Sequence, residues 1–97
     1  MKKLYVVVRK DLSKSQQAVQ GGHALAEYVL RNRDTDWDNG TLVYLSIRDE
    51  NELISLTKKL ECDRICHISF REPDIGDQMT AIASLGNNDH FKSMRLI

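Results

Sequence analysis

Apolar and polar positions change period along this 97-residue chain, and the changes mark out its elements. Residues 4–9 form a nearly continuous apolar run with three consecutive valines, which suits a strand buried on both faces. Ser13 and Gln16 have the spacing of a capping box and start a helix near Lys14. Within it, Ala18, Gly21, Gly22, Leu25, Ala26 and Val29 recur at helical spacing and define one face, whose first half carries only tiny side chains. Glycines inside a helix cost about 1 kcal/mol each relative to alanine. Close approach of this face to the sheet or to a ligand is the expected compensation. Residues 32–40 are polar and read as a loop anchored by Trp37, and residues 41–47 form a second strand rich in β-formers. Asp49 and Glu52 open a second helix, with Leu53, Leu56 and Leu60 as its apolar stripe. From 64 to 71 the chain alternates, with Cys66, Ile68 and Phe70 on one face and Ile65, His67 and Ser69 on the other. Residues 73–78 form a loop, 79–85 a fourth strand of small and apolar residues, and 89–94 a last short helical turn.

The order β-α-β-α-β-β predicts an α/β fold. It has a four-stranded mixed β-sheet flanked by helices, a short C-terminal helix, and one domain spanning 1–97. A helical crossover implies parallel neighbours, whereas the short link between the third and fourth strands implies an antiparallel pair. Hydrophobic residues make up 41% of the chain, enough for a core, and no proline- or glycine-rich stretch marks a linker. The longest apolar run is far too short to span a membrane, and the N-terminus lacks a signal-peptide pattern, so the expected setting is the cytoplasm, with no membrane partner. Cys62 and Cys66, with His67 adjacent, fall short of a four-ligand zinc site and read as two partly buried thiols in a reducing compartment. Fourteen basic residues balance fourteen acidic ones, so there is no broad basic face. Local clusters exist: Arg9, Lys10 and Lys14 after the first strand, Arg71 after the third, and Lys92 and Arg95 near the C-terminus.

The candidate chemistry concentrates where the first strand ends and the first helix begins, the edge at which open α/β sheets place ligands. Arg9, Lys10 and Asp11 close the strand. They are either surface punctuation or a phosphate-binding group next to a helix N-terminus. Gln16, Gln20, His23 and Glu27 share a helical stripe. One reading is a polar wall with His23 as base or hydrogen-bond donor and Glu27 holding its ring; the other is a solvated face with an ordinary i, i+4 pair. Residues 71–78 carry four charged side chains (Arg71, Glu72, Asp74 and Asp77), more than a turn requires, and Thr80 behind them is either a buried hydroxyl or a substrate donor.

Taken together, the run Val7-Val8-Arg9-Lys10-Asp11-Leu12, the run Ala18-Val19-Gln20-Gly21-Gly22-His23-Ala24, the Asp49-Glu50 helix start and Thr80-Ala81-Ile82-Ala83 resemble the type-II peptidyl-tRNA hydrolase family. The resemblance covers nearly the whole chain and is most specific in the first half. It implies a mixed sheet between helices and an esterase that frees tRNA from a stranded peptide, with peptidyl-tRNA as partner and no metal or organic cofactor. It also implies that Gln20, His23 and Thr80 match the family's helix glutamine, helix histidine and late threonine. The family's lysine before the first helix aligns with Gln16, with Lys14 two positions earlier. The family's Asp-Ala-Gly-Arg-Thr loop is replaced by Arg71-Glu72-Pro73-Asp74, where Glu72 or Asp74 substitutes as carboxylate. The expected catalytic set is therefore His23, Lys14, Glu72, Asp74 and Thr80. The expected substrate-binding set is Arg9, Lys10, Asp11, Gln16, Gln20 and Arg71. A non-catalytic RNA- or protein-binding module using the same crevice is the alternative. Monomer and homodimer both remain open.

Overall fold

The computed structural model describes residues 2–85 and 88–97. Its elements are β1 (Lys3–Arg9), α1 (Lys14–Arg31), β2 (Thr41–Ile47), α2 (Glu50–Cys62), β3 (His67–Glu72), β4 (Gln78–Ser84) and β5 (Arg95–Leu96), with single 3₁₀ turns at Pro73–Ile75 and Asn88–His90. Among the described residues the sheet has the order β3-β4-β1-β2-β5. β1 runs parallel to β2 and antiparallel to β4, and β3 and β4 form an antiparallel pair.

The valine run sits in β1 because that strand is covered on both sides. Leu4, Val6 and Val8 pack with Ala24 and Tyr28 of α1 and with Ala81 and Ala83 of β4. Tyr5 and Val7 pack on the other face with Leu53, Leu56 and Leu60 of α2. Burial of each such aliphatic side chain is worth about 1.5–3 kcal/mol. Both helices start at the expected caps: Ser13 Oγ accepts from Gln16 N at 3.1 Å, and Asp49 Oδ1 accepts from Glu52 N at 3.0 Å.

Five of the expectations need correction. The sheet has a fifth strand, because two residues after the C-terminal turn pair with β2 at Leu45 and Ser46. The expected C-terminal helix is a 3₁₀ turn at Asn88–His90, followed by turns that lead into β5. β3 begins at His67 and not at 64, since Arg64 takes a positive φ of 57° after α2. Both cysteines are exposed. On α1 the buried residues are Gln17, Gln20, Gly21, Ala24 and Tyr28, so the small-residue face is rotated outward, leaving Ala18, Gly22, Ala26 and Val29 exposed. Only Gly21 permits a close approach: a Cβ there would collide with the Tyr44 hydroxyl of β2, whereas one at Gly22 meets nothing within 4 Å. No helix of the described residues is long and apolar enough to cross a membrane.

Candidate functional site

The first two turns of α1 cross the end of the sheet where β3 finishes and β4 begins. Gln20 is 1% exposed and joins the two. Its Nε2 donates to Glu72 Oε1 at 2.8 Å and to Gln16 Oε1 at 3.0 Å, and its Oε1 accepts from Thr80 Oγ1 at 2.7 Å. The amide thus has both N–H groups and its carbonyl satisfied, the condition under which a buried polar side chain is tolerated.

Thr80 reaches Gln20 because β4 is irregular there. Phe70 pairs with Ala81 and Arg71 with Met79, so Thr80 is the extra residue of a bulge. A bulge turns a side chain out of the regular alternation. Thr80 thereby faces α1, alongside its neighbour Ala81, and is fully buried.

Alternation on β3 places Ile68, Phe70 and Glu72 on the α1 face, where Ile68 and Phe70 pack against the core under α1. His23 is exposed and lies flat on Phe70, with ring centroids 4.5 Å apart and planes at 4°. His23, Gln20, Glu72, Thr80 and Gln16 are therefore brought to one end of one face. The Glu27 carboxylate does not hold the His23 ring as one reading expected; it accepts from Arg31 Nε at 2.6 Å, an i, i+4 partner one turn on. Asp74 contributes its backbone N–H to Glu72 Oε2 at 3.5 Å, while its side chain is exposed. Lys14 is exposed in the first turn of α1, which contains no acidic residue.

The remaining candidates lie outside this cluster. Arg9 is 7% exposed and its guanidinium is occupied: Nε and Nη2 grip Asp11 at 3.0 and 2.8 Å, and Nη1 donates to Gln78 Oε1 at 2.8 Å and Met79 O at 3.2 Å. Gln78 is the register partner of Glu72, so the pair braces the strand ends under the site. The hydrogen bond to Asp11 is the main reason the Arg9 pKa is raised, and the reciprocal bond holds Asp11 below its ordinary 3.8. Lys10 is exposed on the α2 side of the sheet. Arg71 is exposed and donates to Asp77 O at 3.0 Å, across the Gly76–Asp77 turn.

Three residues of the site were not singled out by the sequence. Gln17 is buried and ties the β1–α1 loop by donating to Leu12 O at 2.8 Å. Tyr44 donates to Gln17 O at 2.9 Å, and burial raises its phenol pKa. Phe70, the platform for His23, was assigned only a strand face. Its offset of two from Glu72 is the one signal that links it to the site.

A family model described as peptidyl-tRNA hydrolase PTH2 matches residues 2–87. Among solved structures, a protein of unknown function from Agrobacterium tumefaciens has a similar fold, with a TM-score of 0.74 at 12% identity, covering 99% of this chain and 97% of that one. No curated protein matches the chain.

Proposed function

Because the chain belongs to the peptidyl-tRNA hydrolase PTH2 family, we propose that the cluster around Gln20 hydrolyses the ester between a peptide, or an N-blocked aminoacyl group, and tRNA. The observation that carries this reading is the 2.8 Å bond from buried Gln20 to Glu72, which holds a carboxylate against the first turns of α1. One carboxylate oxygen is fixed by Gln20, and the other takes a proton from the attacking water. The water oxygen bonds to the ester carbonyl carbon, and the developing oxyanion is met by the Lys14 ammonium and the free N–H groups that open α1. As the bond to the ribose oxygen breaks, His23 supplies the proton that the leaving oxygen needs. Phe70 fixes the imidazole plane, and Thr80 and Gln16 hold the Gln20 amide; these are positioning residues, as are Arg9 and Asp11 beneath the strand ends. From outside the cluster, exposed Arg71 takes a phosphate of the acceptor end. Asp74 keeps the turn beside Glu72 in place through its backbone N–H.

One observation favours a second reading, in which the module binds RNA without cleaving it. A neutral amide, Gln16, stands where the family's lysine aligns, and its Oε1 accepts from Gln20. Turnover of labelled peptidyl-tRNA by the purified protein separates the two. Hydrolysis by the wild-type chain, lowered about 100-fold or more in His23→Ala, supports the enzyme. Absence of turnover in the wild type with gain of it in Gln16→Lys supports the binding module.

A further inference from the structure

On the α2 side of the sheet, across from the Gln20 cluster, a cleft of about 660 Å³ runs between α2 and the C-terminal segment. Its size falls within the range of small-molecule sites, roughly 300–1,000 Å³. Three cations line it from the strand ends and α2, Lys10, Arg48 and Lys59, against a single carboxylate, Glu52. That imbalance stands out in a chain whose charges cancel. Arg48 is shared with Asp49 and Glu52 at 3.4 and 3.5 Å. Lys10 and Lys59 have no side-chain hydrogen bond or ion pair among the described residues. The cations sit at both ends, Lys10 and Arg48 by the strand ends and Lys59 about two turns along α2, so an anion reaching either end meets unneutralised charge.

The floor is of a different kind. Ile47, Leu56 and Met94 line the cleft, and each belongs to or packs on the core beneath it. A methionine sulfur and a flat aliphatic surface suit the face of an aromatic ring. Ser55 and Ser93 border this floor. On the same wall the His90 Nε2 must donate to Asp63 Oδ2, 2.7 Å away, because a carboxylate only accepts. Its buried Nδ1 finds no partner among the described residues. A free inorganic anion would use the cations and leave the apolar floor wet; a purely apolar ligand would strand the cations.

We propose that this cleft is a nucleotide site, with the phosphate on Lys59 and the base on the floor formed by Ile47, Leu56 and Met94. The nucleotide is either free or part of a single RNA strand. The site is separate from the Gln20 cluster, and its occupancy does not depend on ester hydrolysis.

Amide chemical shifts of the full chain, followed by nuclear magnetic resonance during titration with adenosine 5′-monophosphate, inorganic phosphate and a single-stranded hexanucleotide, test the assignment. The expected result is shifts confined to residues 46–48, 52–59 and 90–95, with affinity for the nucleotide lowered about tenfold in Lys59→Gln. Lys58→Gln removes the same charge from an exposed position of α2 that does not line the cleft, and should leave affinity unchanged. Comparable binding of the monophosphate and the hexamer identifies a free nucleotide. Preference for the hexamer, with a log–log salt slope near −0.7 per phosphate engaged, identifies a strand. The proposal is overturned if neither shifts these amides, if inorganic phosphate binds as tightly as the nucleotide, or if Lys58→Gln weakens binding as much as Lys59→Gln.

Discussion

Gln20 has a carbonyl and two N–H groups to satisfy with almost no access to water, and it meets the need with Thr80, Gln16 and Glu72. Removing one partner should therefore cost more than one hydrogen bond's net worth, since the other is left buried and unpaired. Thr80→Val, nearly isosteric, should destabilise the protein by about 1–3 kcal/mol. That corresponds to a fall of several degrees in thermal midpoint for a chain of this size, and an unchanged midpoint would show that Gln20 does not depend on the threonine. The adjacent glycines should respond in opposite directions. Gly21→Ala must displace the Tyr44 hydroxyl from Gln17 O and should destabilise by about 1–3 kcal/mol. Gly22→Ala enters open space and should stabilise by up to about 1 kcal/mol. Denaturant unfolding of the two variants side by side checks both signs.

At the scale of elements, the strand ends are braced by Arg9 and Asp11, and this has a pH signature. The hydrogen bond from Arg9 stabilises ionised Asp11, whose folded pKa lies below its ordinary 3.8. Its contribution is therefore fully present above pH 3.8 and is lost as the pH falls through the lower folded value. Asp11→Asn should lower stability at neutral pH and flatten the acid limb of the stability curve. An acid limb identical to the wild type would remove Asp11 from the brace. Most elements were legible from period and caps: β2 falls on 41–47 as expected, and α1 and α2 begin at Ser13 and Asp49. The buried face of α1 was not. Apolar spacing selects Ala18, Gly21, Gly22, Leu25, Ala26 and Val29, of which only Gly21 and Leu25 pack inward, whereas the face that packs also contains Gln17 and Gln20. Amides are buried when partners exist, and two of the three partners of Gln20 come from residues 52 and 60 positions away, which local spacing does not register. The bulge that aims Thr80 and the two-residue β5 were equally invisible, because neither leaves a periodic trace.

Over the whole molecule, β1 separates two cores and two chemistries. The α1 face holds a satisfied amide network next to one carboxylate and one imidazole. The α2 face holds the cationic cleft. The sequence pointed to the first of these through His23, Gln20 and the charged 71–78 segment, because they are close to elements whose order was readable. It did not point to the second, because Lys10, Arg48 and Lys59 are far apart in sequence and meet only when β1 and β2 pair and α2 packs on the sheet.

The most direct test of the account is the single-turnover release of labelled peptide from peptidyl-tRNA by Glu72→Gln, with enzyme in excess. Glutamine keeps an acceptor for Gln20 Nε2, so the fold and the network are preserved while the base is removed. The account expects a wild-type thermal midpoint, retained tRNA binding and a rate lowered about 100-fold or more. Release at the wild-type rate by a folded Glu72→Gln would contradict it and move the chemistry away from the carboxylate that Gln20 holds.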